Sequence, residues 1–196
     1  GHMAQALRPA GYDPEVVYLI AVLQNLGRLM VRYHFADEAE QIELLMRPAA
    51  AGDEPDAAEP PGMSEEAAAF AVLGVDVPSF GFAVARQWGL GDEVLHMIRR
   101  LPVDAPVRKP DGDPELLRIL ASAANEAVDV VTLLPPRRVA VALDRLAERD
   151  GRGRRLSART LHDGLQEARD ALRKSSAPPP SRRPIAEPTA PAELTE

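Results

Sequence analysis

Twice in this chain an Asp-Pro-Glu step, Asp13-Pro14-Glu15 and Asp113-Pro114-Glu115, heads a run in which apolar residues recur at helical spacing. An aspartate so placed can accept hydrogen bonds from the free amides of a first helical turn, and proline suits that turn because its missing N–H is no loss there. Ser64 and Asp76, the latter two residues before Pro78, supply two further starts, and Gly74 and Gly89 supply stops. With many Ala and Leu residues and only 4% aromatics, this punctuation predicts an all-α fold.

Between those signals the expected helices follow in order. The first covers 13–33, with Leu19, Val22, Leu23, Leu26 and Met30 as a buried stripe; the second covers 37–47, with Ile42, Leu45 and Met46 on one side. Residues 48–62 are rich in Pro, Ala and acids, without periodicity, and are expected to form a mobile loop inside the domain. Helices are then expected over 64–74, over 76–89 carrying Phe82, Val84, Ala85 and Trp88, and over 92–102. After a loop at 103–112, three more cover 113–134, 137–148 and 157–174, making a bundle of seven or eight helices. Gly1-His2-Met3 reads as a cloning remnant outside the fold, residues 4–175 as one domain, and the proline-rich 176–196 as a disordered tail or linker.

Composition removes several function classes. The absence of cysteine excludes disulfides, thiolate metal sites and cysteine nucleophiles, and a net charge of −7 opposes bulk attraction to nucleic acid or anionic lipid. No run of eighteen apolar residues occurs, so no membrane partner is expected and the cytoplasm is the expected compartment. Neither a G-x-G-x-x-G nor a Walker pattern is present.

One order of landmarks carries further meaning. Leu23-Gln24-Asn25-Leu26-Gly27 is followed by a helix led by Glu65 or Glu66, by Leu73-Gly74-Val75-Asp76-Val77, by Gly81, by Trp88-Gly89-Leu90-Gly91, by Arg99-Arg100 and by Ala124-Asn125. Over residues 12–131 this resembles the HDOD domain, an output domain of bacterial signal transduction related to the HD metal-dependent phosphohydrolases. The stretch corresponds to the C-terminal half of that family's usual length, which implies a piece of a larger signalling protein. The family's pattern would have His-Asp or a relative where Gln24-Asn25 stands, His where Val77 stands, and His-His in the region of Arg99-Arg100. Asn125 occupies the place of the enzymes' last Asp. Gly27, Asp76, Gly81, Trp88 and Leu90 keep the structural landmarks.

The resemblance therefore implies a degenerate metal site. A hydrolytic centre needs imidazoles and carboxylates that neutralise a divalent ion and acidify its bound water. Gln24 and Asn25 are neutral amides, Val77 offers no donor, and Arg99 or Arg100 would repel the ion. Beyond His2, only His34, His96 and His162 remain, none at paired spacing. No catalytic residue, metal or cofactor is expected, and the expected function is a non-enzymatic interaction module that binds a partner protein or a signalling domain of its parent chain. The alternatives are a weak metal-dependent phosphohydrolase of the HD class and a nucleic-acid binder. The latter would use the segment 137–159, where Arg137, Arg138, Arg149, Arg152, Arg154 and Arg155 form the candidate anion patch. No aromatics interleave there to stack bases, so nucleic acid is the less expected partner. Trp88 is expected to anchor the core or a helix end, and Gly81 to let two helices approach closely.

Overall fold

The structure, a computed structural model, describes residues 1–47, 62–102, 110–151 and 157–175. Among these residues the protein is all-helical, with ten helices and no strand. In order they are α1 (His2–Leu7), α2 (Pro14–Leu23), α3 (Leu26–His34), α4 (Ala36–Met46), α5 (Glu65–Leu73), α6 (Val77–Gln87), α7 (Asp92–Met97), α8 (Asp113–Leu133), α9 (Pro136–Gly151) and α10 (Ala158–Ser175). The loop expected at 48–62 lies, but for Gly62, outside the described residues, as does the tail at 176–196.

The caps explain most of the boundaries. Asp13 accepts a bond from the Glu15 amide at 2.8 Å, Ser64 from Ala67 at 3.2 Å and Asp76 from Ser79 at 2.7 Å. Gly74 ends α5 at φ +72°, a left-handed conformation that glycine adopts without a Cβ penalty. Asp113 departs from expectation. It is the first residue of α8 rather than its cap, and its carboxylate accepts the Tyr12 hydroxyl at 2.7 Å, tying the start of α8 to the segment before α2.

The helix expected over 13–33 is two helices. The chain breaks at Gln24-Asn25, and α2 and α3 lie at 57° to each other. The break resets the helical phase, which corrects the expected stripe: α2 turns Val17, Ile20 and Ala21 inward and leaves Leu19 54% exposed, while Leu26 is buried as the first residue of α3. Val17, Ile20 and Ala21 predict the next inward position at Gln24, seven residues after Val17.

The long helix α8 is the axis of the main core. Leu117, Leu120, Ala121, Ala123, Ala124 and Ala127 are buried against α1, α2, α9 and α10, whose contributions include Val17, Ile20, Leu143, Leu146, Leu161 and Leu165. Full burial of residues such as Ile119 and Leu161 stabilises the fold by about 1.5–3 kcal/mol each relative to exposure. Residues 1–3 belong to this unit, contrary to expectation, because α1 packs on α8 and α10 and Met3 is buried in the core. A second layer, α3 to α6, has its own smaller core of Val31, Ile42, Ala68, Ala69 and Val77. Leu26, Ala85, Leu95 and Ile98 join this layer to α7. No single described helix is long and apolar enough to cross a membrane.

Candidate functional site

Within the second layer α3 crosses α6, and glycines set the distance of that crossing. A Cβ on Gly27 would stand 2.0 Å from the Val77 carbonyl oxygen, and one on Gly81 would stand 2.5 Å from the Gly27 nitrogen. Both obstacles are backbone, so the helices approach as closely as they do only because neither residue has a side chain. The close approach expected of Gly81 is thus present, with Gly27 as its counterpart.

Beside the crossing opens a cleft of about 110 Å³. Its walls come from the α2–α3 break (Gln24, Asn25), the first turn of α3 (Arg28), the start of α5 (Glu65), the first turns of α6 (Val77, Phe82) and the residues just beyond α7 (Arg99, Arg100). Five of the six positions singled out in the sequence, Gln24, Asn25, Val77, Arg99 and Arg100, therefore line one cleft. The sixth, Asn125, is buried behind it on α8 and donates to Gln24 Oε1 at 3.1 Å.

Behind the cleft the polar groups are spoken for. The Gln24 amide nitrogen lies 3.1 Å from each of three acceptors, the Met97 and Arg118 carbonyls and Ser122 Oγ. Asn125 also donates to the Ala21 carbonyl at 3.0 Å, and Ser122 Oγ donates to Arg118 O at 2.8 Å while accepting from the Leu101 amide. Ser122 and Asn125 are the only buried polar residues among those described, and both bond to Gln24. Gln24 thus pins α2 to α8 and to the end of α7, and its amide has no spare capacity for a ligand. Asn25 is committed too, donating to Ala21 O at 3.1 Å and accepting from Arg28 at 3.3 Å.

In front of the amides lies a chain of charges. Arg28 holds Glu65 in a two-point clamp, Nε to Oε1 at 2.7 Å and Nη2 to Oε2 at 2.6 Å, and reaches Asp129 through Nη1 at 3.1 Å. Arg100 closes the chain on Asp129 at 2.6 Å. Partial burial opposes the charge on Arg28, but hydrogen bonds and attraction from Glu65 and Asp129 outweigh it and hold the guanidinium above its ordinary range. Arg99 is different. Its guanidinium lies over the Phe82 ring, 4.5 Å from the centroid, and has no carboxylate partner among the described residues.

Other expectations fare unevenly. Leu90 packs on the cluster joining α6 and α7, and Asp76 is a helix cap. Trp88 stands at the end of α6, one of the two places expected for it, but is 58% exposed and does not anchor the core; the buried place one turn earlier is taken by Ala85. Of the candidate anion patch, Arg137 and Arg138 are exposed on α9, but Arg149 turns back to Glu126 on α8 with a two-point ion pair at 2.5–3.1 Å. Arg152, Arg154 and Arg155 lie outside the described residues.

Arg28, Ser122 and Asp129 went unrecognised in the sequence. Ser122 and Asn125, one helical turn apart in the Ala- and Leu-rich centre of α8, were a readable sign of a buried polar pair. Nothing local marks Arg28 and Asp129, which are 101 residues apart.

These residues do not fit a divalent ion. No group of three or more His, Asp or Glu side chains converges among the described residues, and the Glu65 and Asp129 carboxylates are already neutralised by guanidinium groups. Compared with protein-family models, curated proteins and solved structures, the chain matches none.

Proposed function

We propose that this protein is a non-enzymatic interaction module, a helical domain of the HDOD type whose ancestral metal cleft has become a structural joint. One observation carries this reading. Five of the six positions that the resemblance marks line a single cleft with Asn125 behind it, their amides are engaged by α2, α7 and α8, and the carboxylates beside them, Glu65 and Asp129, are engaged by Arg28 and Arg100. Arg28 takes the electrostatic part of a metal ion, a fixed positive charge between Glu65 and Asp129, without a water to activate. What the domain then offers is surface, including Trp88 and an exposed Arg99 at the mouth of the cleft. A partner protein, or another domain of the same parent chain, is the proposed ligand of that surface, and bacterial signalling is the proposed setting.

The test is a screen for hydrolysis of phosphomonoesters and phosphodiesters after incubation with manganese, iron, zinc or magnesium, run alongside Asn25→Ala. The expected outcome is no turnover in either protein. Metal-dependent turnover in the wild type that is lost in Asn25→Ala would overturn the reading.

A further inference from the structure

Among the described residues, Arg99 is the one cleft cation without a carboxylate partner. Three guanidinium groups face the cleft, and the two carboxylates of the network, Glu65 and Asp129, are engaged by Arg28 and Arg100. One positive charge therefore remains at the cleft mouth, on a chain whose overall charge is −7. Its position is held from two sides. The guanidinium carbon lies over the Phe82 ring, which is in the wall of the same cleft, and the Arg99 carbonyl accepts a 2.7 Å bond from Arg118 Nε on α8. A guanidinium attracted to a ring through its charge keeps its N–H donors for other acceptors, and two of them can bind one oxyanion together. Arg100, next in sequence and lining the same cleft, spends Nη2 on Asp129.

From this arrangement we infer that the cleft binds a single phosphate-type oxyanion, held by Arg99 with Arg100 behind it. At about 110 Å³ the cleft is small, of a size for one phosphoryl group. Among the described residues its walls bring together no cluster of metal-ligating side chains and no carboxylate free to act as a base, so the group would be bound and not cleaved. The site deepens the interaction-module reading and rests on it: the partner recognised would carry a phosphomonoester, or free phosphate would itself be the signal.

The experiment is an NMR titration of the intact chain with inorganic phosphate and, separately, with O-phosphoserine, following backbone amides and arginine Nε–H signals. Saturable shifts centred on Phe82, Arg99 and Arg100 are expected. Tighter binding of O-phosphoserine would assign the source as a phosphorylated side chain, and tighter binding of inorganic phosphate as the free ion. Arg99→Gln removes one charge-assisted contact and should weaken binding by about 10- to 100-fold, whereas Arg159→Gln, on the exposed face of α10, should leave it unchanged. Arg99→Lys keeps the charge but not the planar fork, and should fall between. Since Arg99 is exposed and makes no ion pair among the described residues, these variants should fold as the wild type does, which the same spectra report. Absence of saturable shifts, or shifts indifferent to Arg99→Gln, would overturn the site. That result leaves the interaction reading standing, because only metal-dependent turnover removes the latter.

Discussion

Replacing Gly27 by alanine sets two opposing effects of one methyl group against each other. Inside an ordinary helix the change stabilises by about 1 kcal/mol, through helix propensity and a less flexible unfolded chain. At Gly27 the new Cβ would stand 2.0 Å from the Val77 carbonyl oxygen, where ordinary contact begins at 3.4 Å. The obstacle is main chain on α6, so α3 and α6 must separate by more than an ångström, opening the packing of Leu26 and Val77 and widening the cleft. Overpacking of this kind costs about 1–3 kcal/mol even when side chains can yield. With backbone against backbone the upper end is expected, a net loss of about 2 kcal/mol. For a chain of this size that lowers the melting temperature by roughly 4–8 °C. Gly164 on α10 supplies the control, because its added Cβ would meet only the flexible ends of Leu7 and Met3 at 3.3 Å. Gly164→Ala should be neutral or stabilising by up to about 1 kcal/mol. Urea denaturation followed by circular dichroism measures both. If Gly27→Ala proved as stable as Gly164→Ala, glycine would not be setting the α3–α6 distance, and the account of how the cleft is built would fail.

Three further outcomes follow from the same geometry. Gln24→Ala should destabilise by about 2–3 kcal/mol, since it strands buried acceptors on α7 and α8 and leaves Asn125 with one partner fewer, whereas exposed Gln166→Ala should change stability by less than about 0.5 kcal/mol; equal midpoints in urea would refute the joint. Trp88, the only tryptophan, should emit as a solvent-exposed indole and be readily quenched by acrylamide, and Trp88→Ala should cost under about 1 kcal/mol; blue-shifted, quencher-resistant fluorescence would contradict its placement. The bond from Tyr12 to Asp113, with lesser help from burial and the carboxylate's charge, raises the phenol above 10.0. Because the fold favours the protonated phenol, that contribution is present below pH 10 and is lost as pH rises through the elevated value. In an ultraviolet titration Asp113→Asn should bring one of the three tyrosines back toward 10.0, and an unchanged curve would dismiss the bond.

The helices themselves were legible because their signals are local. Asp13, Ser64, Asp76 and Gly74 act on amides or dihedrals within a few residues, so a linear reading locates them. The break at Gln24-Asn25 was not legible, since apolar residues continue on both sides of it and only the bend tells which of them face inward. Arg149 failed as a patch residue for a related reason: an arginine in a basic run looks solvated until the helix packs and sets Glu126 opposite it. Asp113 looked like a cap by the same local rule that located Asp13, but Tyr12 brought a competing donor from another segment.

The order of amino acids was enough to dictate the helical fold of the described residues and to single out Gln24, Asn25, Val77, Arg99, Arg100 and Asn125 as one set of positions. Only packing decided that the first five share a cleft with Asn125 behind it, that Arg28 neutralises Glu65 and Asp129 in front, and that Arg99 finds no carboxylate partner among the described residues. The reason is one of range. Capping and periodicity act over a turn or two of helix, whereas ion pairing and burial depend on which distant segments the folded core brings within a few ångströms.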